Sequence, residues 1–544
     1  MRERARQRGW RRPLRFSLIL LGVFIAAMGI LEVFAQDVTV SCQQILVVDE
    51  HFDVMRLEGT NLDSPTSLQF GPDNRLYVSQ QNGLIQVYSV SPKPAGGYEV
   101  TASESIAAIQ EIPNHDDDGI PLPDVRGRLV TGLLVAGTAD QPVVYVTSSD
   151  PRLENPIVDT NSGTISRLLQ DGNGWKREDL VRGLPRSRYD HAPNGLQLDP
   201  ERSILYVAQG GNTNAGAPAT LMGRLPEYAL SGAVLAIDLT RLSELPYDLP
   251  TLDDEDRPGN PDENDPFGGN SGKNQAILVP EGPVQIYATG FRNAYDLVRT
   301  DKGFYLTDNG ANQNFGSPPR ISAEGKVTNE PRDAGERTSN SLHHIPQAGY
   351  YGGTPNPTRA NRQNTFNERI PQSPVEFEDP AQGHFLLPGA ENGALILFTA
   401  STNGITVYNS SDFGPPDERK LLTVGLDATV RLTKLDSSGE HVTEQIQILK
   451  GGGALFLDVI AQSDDDPYPG TIWIADYGLG TILVLQPGAN SNFSSRLTSL
   501  SRRGQKSVCD SYLSGREWVM EAPRRVRVFV LSKFREYFGA SGSA

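Results

Sequence analysis

An all-β fold, a six-bladed β-propeller, is the class this sequence predicts, on three observations. Gly 54 and Pro 39 among 544 residues make the chain rich in turns and poor in long helical stretches. One phrase recurs: an apolar strand, an Asp turn, and a second strand ending in tyrosine or tryptophan. About six such units occur, unevenly spaced at roughly 60–100 residues, and none could bury both of its faces alone. Radial stacking of small sheets buries those faces, which is the logic of a propeller.

In chain order, residues 1–35 read as a leader. Seven arginines lie between Arg2 and Arg15, followed by the apolar run Phe16 to Leu31 and then Val33-Phe34-Ala35. This is the pattern of a secretory signal. An uncleaved membrane anchor is the alternative, and it is the only membrane contact expected. Either way the body is placed outside the cytoplasm, as a periplasmic, extracellular or anchored protein. The body, residues 36–486, carries the repeated phrase. Pro65 to Asp73 leads into Leu76-Tyr77-Val78, and Gly132 to Val135 leads into Val143 to Val146. Gly195 to Pro200 leads into Ile204 to Val207, Tyr295 to Asp301 into Gly303 to Leu306, and Leu457 to Asp464 into Thr471 to Ile474. A further unit is expected around Gly393 to Ile396 and Gly404 to Val407.

Loops must absorb the extra length. The most obvious, Asp253 to Asn274, is acidic and full of turn residues, and it reads as a solvated surface loop. Its carboxylate spacing fits no EF-hand. Residues 487–544 form a Ser-rich and then basic extension, which is expected to pack on the body or remain partly disordered. Cys42 and Cys509 flank the strand-rich body. Export permits a disulfide, and ring closure is expected to bring the pair within the ~7 Å Cα separation that a bridge needs. Two free thiols are the alternative. The net charge of −17 argues against nucleic-acid binding.

The chemistry-bearing residues cluster in two stretches. Thr289 to Gly316 pairs Arg292-Asn293 with a strand running into Asp308-Asn309-Gly310-Ala311-Asn312. Upstream lie Gly183-Leu184-Pro185 and Asp190-His191. An arginine, an isolated histidine and a Gly-broken loop with free carbonyls can form a polar cup. Such a cup could bind an oxygen-rich anionic ligand and take a proton from an alcohol.

Taken in order, these segments, with Gly349 to Gly352, Ser401 to Tyr408, Asp458-Val459 and Ile474 to Asp476, resemble the soluble quinoprotein glucose/sorbosone dehydrogenase family over roughly Val54 to Gln486. The resemblance implies a six-bladed propeller holding pyrroloquinoline quinone (PQQ) over calcium. It implies an oxidoreductase that passes hydride from a sugar C1 hydroxyl to PQQ, with an external electron acceptor. His191, in the Asp190-His191 pair, is implied as the base. Arg292 and Asn293 are implied as cofactor contacts, and the Gly310 and Ala311 carbonyls as calcium ligands. His191, Arg292 and these carbonyls are expected to converge at one end of the central axis.

The sequence departs from the family pattern at several positions. Val130 stands for a glutamine, Leu455 and Leu457 for two arginines that grip the cofactor's carboxylates, and Thr402-Asn403 for a lysine. Ala208 to Gly211 replaces the aspartate that supports the histidine, with Asn212 as the nearest substitute. A non-catalytic propeller binding carbohydrate or protein on its top face is therefore the alternative function. A lactonase-like hydrolase needs converging carboxylate ligands, and no such set is identifiable.

Overall fold

The computed structural model describes residues 47–488, apart from residues 50, 154, 156, 173, 252–265, 273, 324–326, 329, 361–384, 387–393 and 452–453. The chain divides into two compact units, 1–44 and 45–544. The first lies outside the described residues, as do Cys42, Cys509 and nearly all of the C-terminal extension.

Six antiparallel sheets form the blades. Blade 1 is Pro65–Phe70, Leu76–Gln80, Ile85–Pro92 and Tyr98–Ile106. Blade 2 is Leu129–Gly137, Pro142–Ser149, Gly163–Asp171 and Gly174–Leu184. Blade 3 is Pro193–Asp199, Ile204–Gln209, Ala233–Asp238 and Val284–Thr289. Blade 4 is Ala294–Thr300, Gly303–Asp308, Asn340–Ile345 and Ala394–Phe398. Blade 5 is Thr402–Val407, Lys420–Gly425, Thr429–Leu435 and Val442–Lys450. Blade 6 takes Phe456–Ala461, Ile472–Asp476 and Thr481–Pro487 from the end of the body, and its outermost strand, Phe52–Arg56, from the beginning. Each innermost strand packs against that of the next blade, and the sixth packs against the first, so the ring is closed.

The recurring phrase has a packing cause. Its aromatic residue sits on the second strand of a blade, buried in the apolar layer facing a neighbouring blade. Tyr77 lies between blades 1 and 2, Tyr145 between 2 and 3, Tyr206 between 3 and 4, Tyr305 between 4 and 5, and Trp473 between 6 and 1. Blade 5 differs. Ala394–Phe398 and Thr402–Val407 do not pair; the former closes blade 4 against Asn340–Ile345, and the latter opens blade 5 against Lys420–Gly425. The unit expected around residues 393–407 is therefore the junction of two blades. Its layer against blade 6 takes its aromatics from Tyr408 and Phe413, just beyond the first strand.

Polar side chains stitch the blades together near the axis, where every innermost strand carries a bulge. Asp458 of blade 6 accepts the Ser67 hydroxyl (2.7 Å) and the Leu68 N–H (2.9 Å) of blade 1. Asp296 of blade 4 accepts the Ile405 N–H of blade 5 at 3.1 Å. Each of these carboxylates backs onto a glycine of the preceding blade. A Cβ on Gly404 would stand 2.5 Å from Asp458 Cα, and one on Gly195 would stand 2.2 Å from Asp296 Oδ1.

The loop expected to be solvated throughout is not so at its end. Pro266, Gly268, Gly269 and Asn274 are buried against the loop between the second and third strands of blade 2. Their backbone groups find partners there, which a free surface loop would leave to water.

Asp458→Ala should lower the denaturation midpoint, with a loss of about 2–5 kcal/mol, because it strips acceptors from buried donors worth ~1–3 kcal/mol each. Gly404→Ala should also destabilise the protein, through its clash with Asp458. Denaturant titration of both variants measures this; unchanged midpoints would remove the seam as a source of stability.

Candidate functional site

The loop between blades 2 and 3, residues 185–192, is wound tightly around Ser187. The Ser187 hydroxyl accepts the His191 N–H at 2.9 Å, and the Ser187 N–H donates to the His191 carbonyl at 2.9 Å. Arg186, fully buried, donates to the carbonyls of Ser187 and Arg152 and reaches that of His191 at 3.4 Å. Burial pushes its guanidinium down to about 10, so it keeps its charge at neutral pH.

The imidazole of His191 is 2% exposed, and its Nδ1 lies 2.7 Å from the Gly211 carbonyl oxygen. A carbonyl can only accept, so Nδ1 carries a proton, and in the neutral ring the lone pair is then on Nε2. Asp190 Oδ1 stands 3.5 Å from Nε2. The histidine's support is thus a backbone carbonyl. Asn212, expected as the substitute, has neither end of its buried amide hydrogen-bonded.

Gly211 also reaches the arginine corner, because its N–H donates to the Arg292 carbonyl at 2.8 Å. One residue, Gly211, therefore ties Asp190-His191 to Arg292-Asn293. A side chain would not fit here: a Cβ on Gly210 would lie 2.8 Å from His191 Cβ, and one on Gly211 2.9 Å from the Arg292 carbonyl oxygen. Glu227 anchors the same loop by accepting the N–H groups of Asn212 (2.9 Å) and Thr213 (2.8 Å).

Arg292 and Asn293 enter blade 4 with their N–H groups held by Asp308, at 3.2 and 2.8 Å. Burial raises Asp308 to about 7 against the opposing effect of those donors and of the Arg292 charge. The Arg292 guanidinium, nearly buried, donates to Asn214 Oδ1 at 2.9 Å and reaches the Asn309 carbonyl at 3.4 Å. Asn309 N–H returns to the Asn293 carbonyl, and Asn312 N–H reaches Asn214 Oδ1 at 2.9 Å. Gly310 and Ala311 therefore lie in the loop that adjoins the arginine corner. The Gly310 N–H is held by Asn340 and the Ala311 N–H by Thr338. Asn403, on the strand entering blade 5, completes the ring of amides by accepting Asn309 Nδ2 at 3.1 Å, and its own buried Nδ2 has no partner.

Calcium and PQQ fit these residues unequally. The Ala311 carbonyl already accepts the Thr338 N–H at 2.9 Å and keeps one lone pair for a cation. Among the described residues no group of three or more His, Cys, Asp or Glu side chains could hold a metal. The anion clamp does not match a tricarboxylate. Val130 is buried in the layer between blades 1 and 2, and Leu455 packs on Gly478. Around the arginine corner stand the neutral amides Asn212, Asn214, Asn293, Asn309 and Asn403.

No protein-family model matches the chain, and no curated protein is significantly similar to it. Solved structures with similar architecture include a Trichoderma reesei carbohydrate-active enzyme of family AA12 (13% identity, TM-score 0.45, 82% of this chain and 98% of that one). A glucose dehydrogenase (16%, 0.44, 80% and 99%) and the PQQ domain of Coprinopsis cinerea pyranose dehydrogenase (12%, 0.45, 82% and 98%) are also similar. The six sheets define the fold without them.

Buried carboxylates set the pH dependence of stability. Burial raises Asp159 to about 8, Asp308 and Asp476 to about 7 and Asp458 to about 6. Unfolded, these groups ionise near 3.9, so between about pH 4 and 8 the folded chain holds protons that the unfolded chain releases. Their contribution is complete below pH 4 and fades as pH rises through the folded values. The surface carboxylates Asp301, Asp333 and Asp464, held low mainly by hydrogen bonds, act only below that window. The melting temperature should therefore be higher at pH 5.5 than at pH 8, and a scan rising steadily over that range would contradict this.

Proposed function

We propose that this chain is an exported oxidoreductase of the quinoprotein sugar dehydrogenase type, in which His191 takes the proton of a sugar C1 hydroxyl. One observation carries the reading: the Gly211 carbonyl fixes the His191 tautomer, leaving Nε2 as the acceptor in the loop joined to Arg292-Asn293. A neutral imidazole of this kind is a competent general base near neutral pH. The surrounding amides suit a neutral, hydroxyl-rich ligand, since each offers a donor and an acceptor. The missing clamp at Val130, Leu455 and Leu457 does not suit PQQ itself. The chemistry assigned to this chain's residues ends with the proton.

The same mismatch, with His191 only 2% exposed, favours a second reading: a non-catalytic propeller that binds carbohydrate on this face. Reconstituting purified protein with calcium and PQQ separates the two. Aldose-dependent dye reduction is expected for the enzyme, and His191→Ala should lower turnover by about 10²–10⁴-fold, the usual contribution of a general base. Unchanged turnover in that variant would remove the histidine from the mechanism. Calorimetric sugar binding without dye reduction would establish the second reading.

A further inference from the structure

The strand that opens blade 3, Pro193–Asp199, carries one side chain that reaches the blades on both sides. Asn194 is 2% exposed. Its Oδ1 accepts the Thr131 hydroxyl of blade 2 at 2.8 Å, and its main-chain carbonyl accepts the Thr147 hydroxyl of the same blade at 2.8 Å. Its Nδ2 donates to the Ala294 carbonyl of blade 4 at 2.8 Å and to Asn293 Oδ1 at 3.2 Å. Three of these bonds join blades. The fourth holds a side chain of the candidate site.

These bonds fix the orientation of two amides in turn. The Ala294 carbonyl can only accept, so the end of Asn194 facing it is Nδ2. The same Nδ2 faces Asn293, so the Asn293 end that meets it is Oδ1, since a nitrogen there would set donor against donor. A Cβ on Gly210 would stand 2.7 Å from this Oδ1 and 2.8 Å from His191 Cβ, so the amide and the base flank one backbone position. Asn293 Nδ2 is the end left over. It has no hydrogen-bond partner among the described residues, and it belongs to a partly exposed side chain, outside the set of buried unpaired groups.

We propose that Asn194 is a positioning residue, which holds the Asn293 amide with Nδ2 outward as a fixed hydrogen-bond donor in the His191 corner. The inference rests on the reading of that corner as a ligand site. It adds what the corner selects: an acceptor oxygen, such as a sugar hydroxyl or ring oxygen, on the ligand whose hydroxyl proton His191 takes. An unanchored amide could turn either end to a ligand, and the anchor removes that freedom before binding. Buried as it is, Asn194 acts through Asn293.

The test follows side-chain amide protons by NMR in the full chain, labelled with nitrogen-15 at asparagine. Signals are assigned by their loss in Asn194→Ala and Asn293→Ala. In wild type the Asn293 amide protons should exchange with water much faster than those of Asn194. Asn194→Asp puts an acceptor where the donor stood, so the Asn293 amide should turn its nitrogen inward and its protons become protected. Asn194→Ala only removes the anchor, and should broaden the Asn293 signals as the amide turns. Protected Asn293 protons in wild type would overturn the proposal, as would signals in Asn194→Ala as sharp as in wild type. If Asn194→Asp fails to fold, those two results decide. Calorimetry with D-glucose tests the consequence: Asn194→Ala and Asn293→Ala should each weaken binding about tenfold, the worth of one net hydrogen bond, and the double variant no further. Additive losses would mean that Asn194 acts independently of Asn293 and would overturn the proposal. A wild type that binds no glucose would remove the sugar reading of the site, while the exchange pattern still decides the role of Asn194.

Discussion

Closure of the ring is the constraint on which the rest of this structure depends. The strand Phe52–Arg56 pairs antiparallel with Thr481–Pro487, from Phe52 opposite Pro487 to Arg56 opposite Leu483. These segments lie at opposite ends of the body, so the pairing carries the loop-closure entropy of almost the whole chain. It is offset by the apolar layer between blades 6 and 1, where Trp473, Leu68, Val78 and Tyr88 are buried together. Until that layer forms, the innermost strands share no axis and the loops at their ends have no common centre.

The seams at the axis carry closure through to the site. Asp458 and Asp296 reach from one blade to main-chain donors of the next, and the glycines behind them permit the approach. Gly211 works on the same principle, binding His191 on one side and Arg292 on the other. In each case a glycine permits a close approach: Gly211 bonds the Arg292 backbone directly, and Gly404 and Gly195 leave room for the carboxylates of the seams. The site is therefore preorganised mainly by main-chain geometry.

Much of this was legible in the sequence because it has a side-chain signature. The aromatic ending each phrase faces a neighbouring blade, so Tyr77, Tyr145, Tyr206, Tyr305 and Trp473 marked blades 1 to 4 and 6. Blade 5 was misread because residues 408–419 separate its first two strands and its aromatics, Tyr408 and Phe413, fall outside them. Asp190-His191 and Arg292-Asn293 were legible as motifs, and the structure brings their loops together. Their support was not. A carbonyl that fixes a tautomer has no residue type to betray it, and Glu227 meets Thr213 only because the intervening loop folds back. Asn212 was the natural guess from spacing, yet its amide bonds nothing. The buried end of the acidic loop was hidden in the same way, since composition alone reads Asn and Gly as solvated.

Ring closure places His191 Nδ1 against the Gly211 carbonyl, so a neutral His191 carries its proton on Nδ1 and its lone pair on Nε2. Histidine-selective nitrogen NMR of the full chain measures this directly, because the two nitrogens and their protons give distinct couplings. Near neutral pH the account predicts a His191 signal, assigned by its loss in His191→Gln, with a protonated Nδ1 and an unprotonated Nε2. A ring protonated on Nε2 alone would contradict it, because the Gly211 carbonyl would then hold no proton and the base would point away from its ligand.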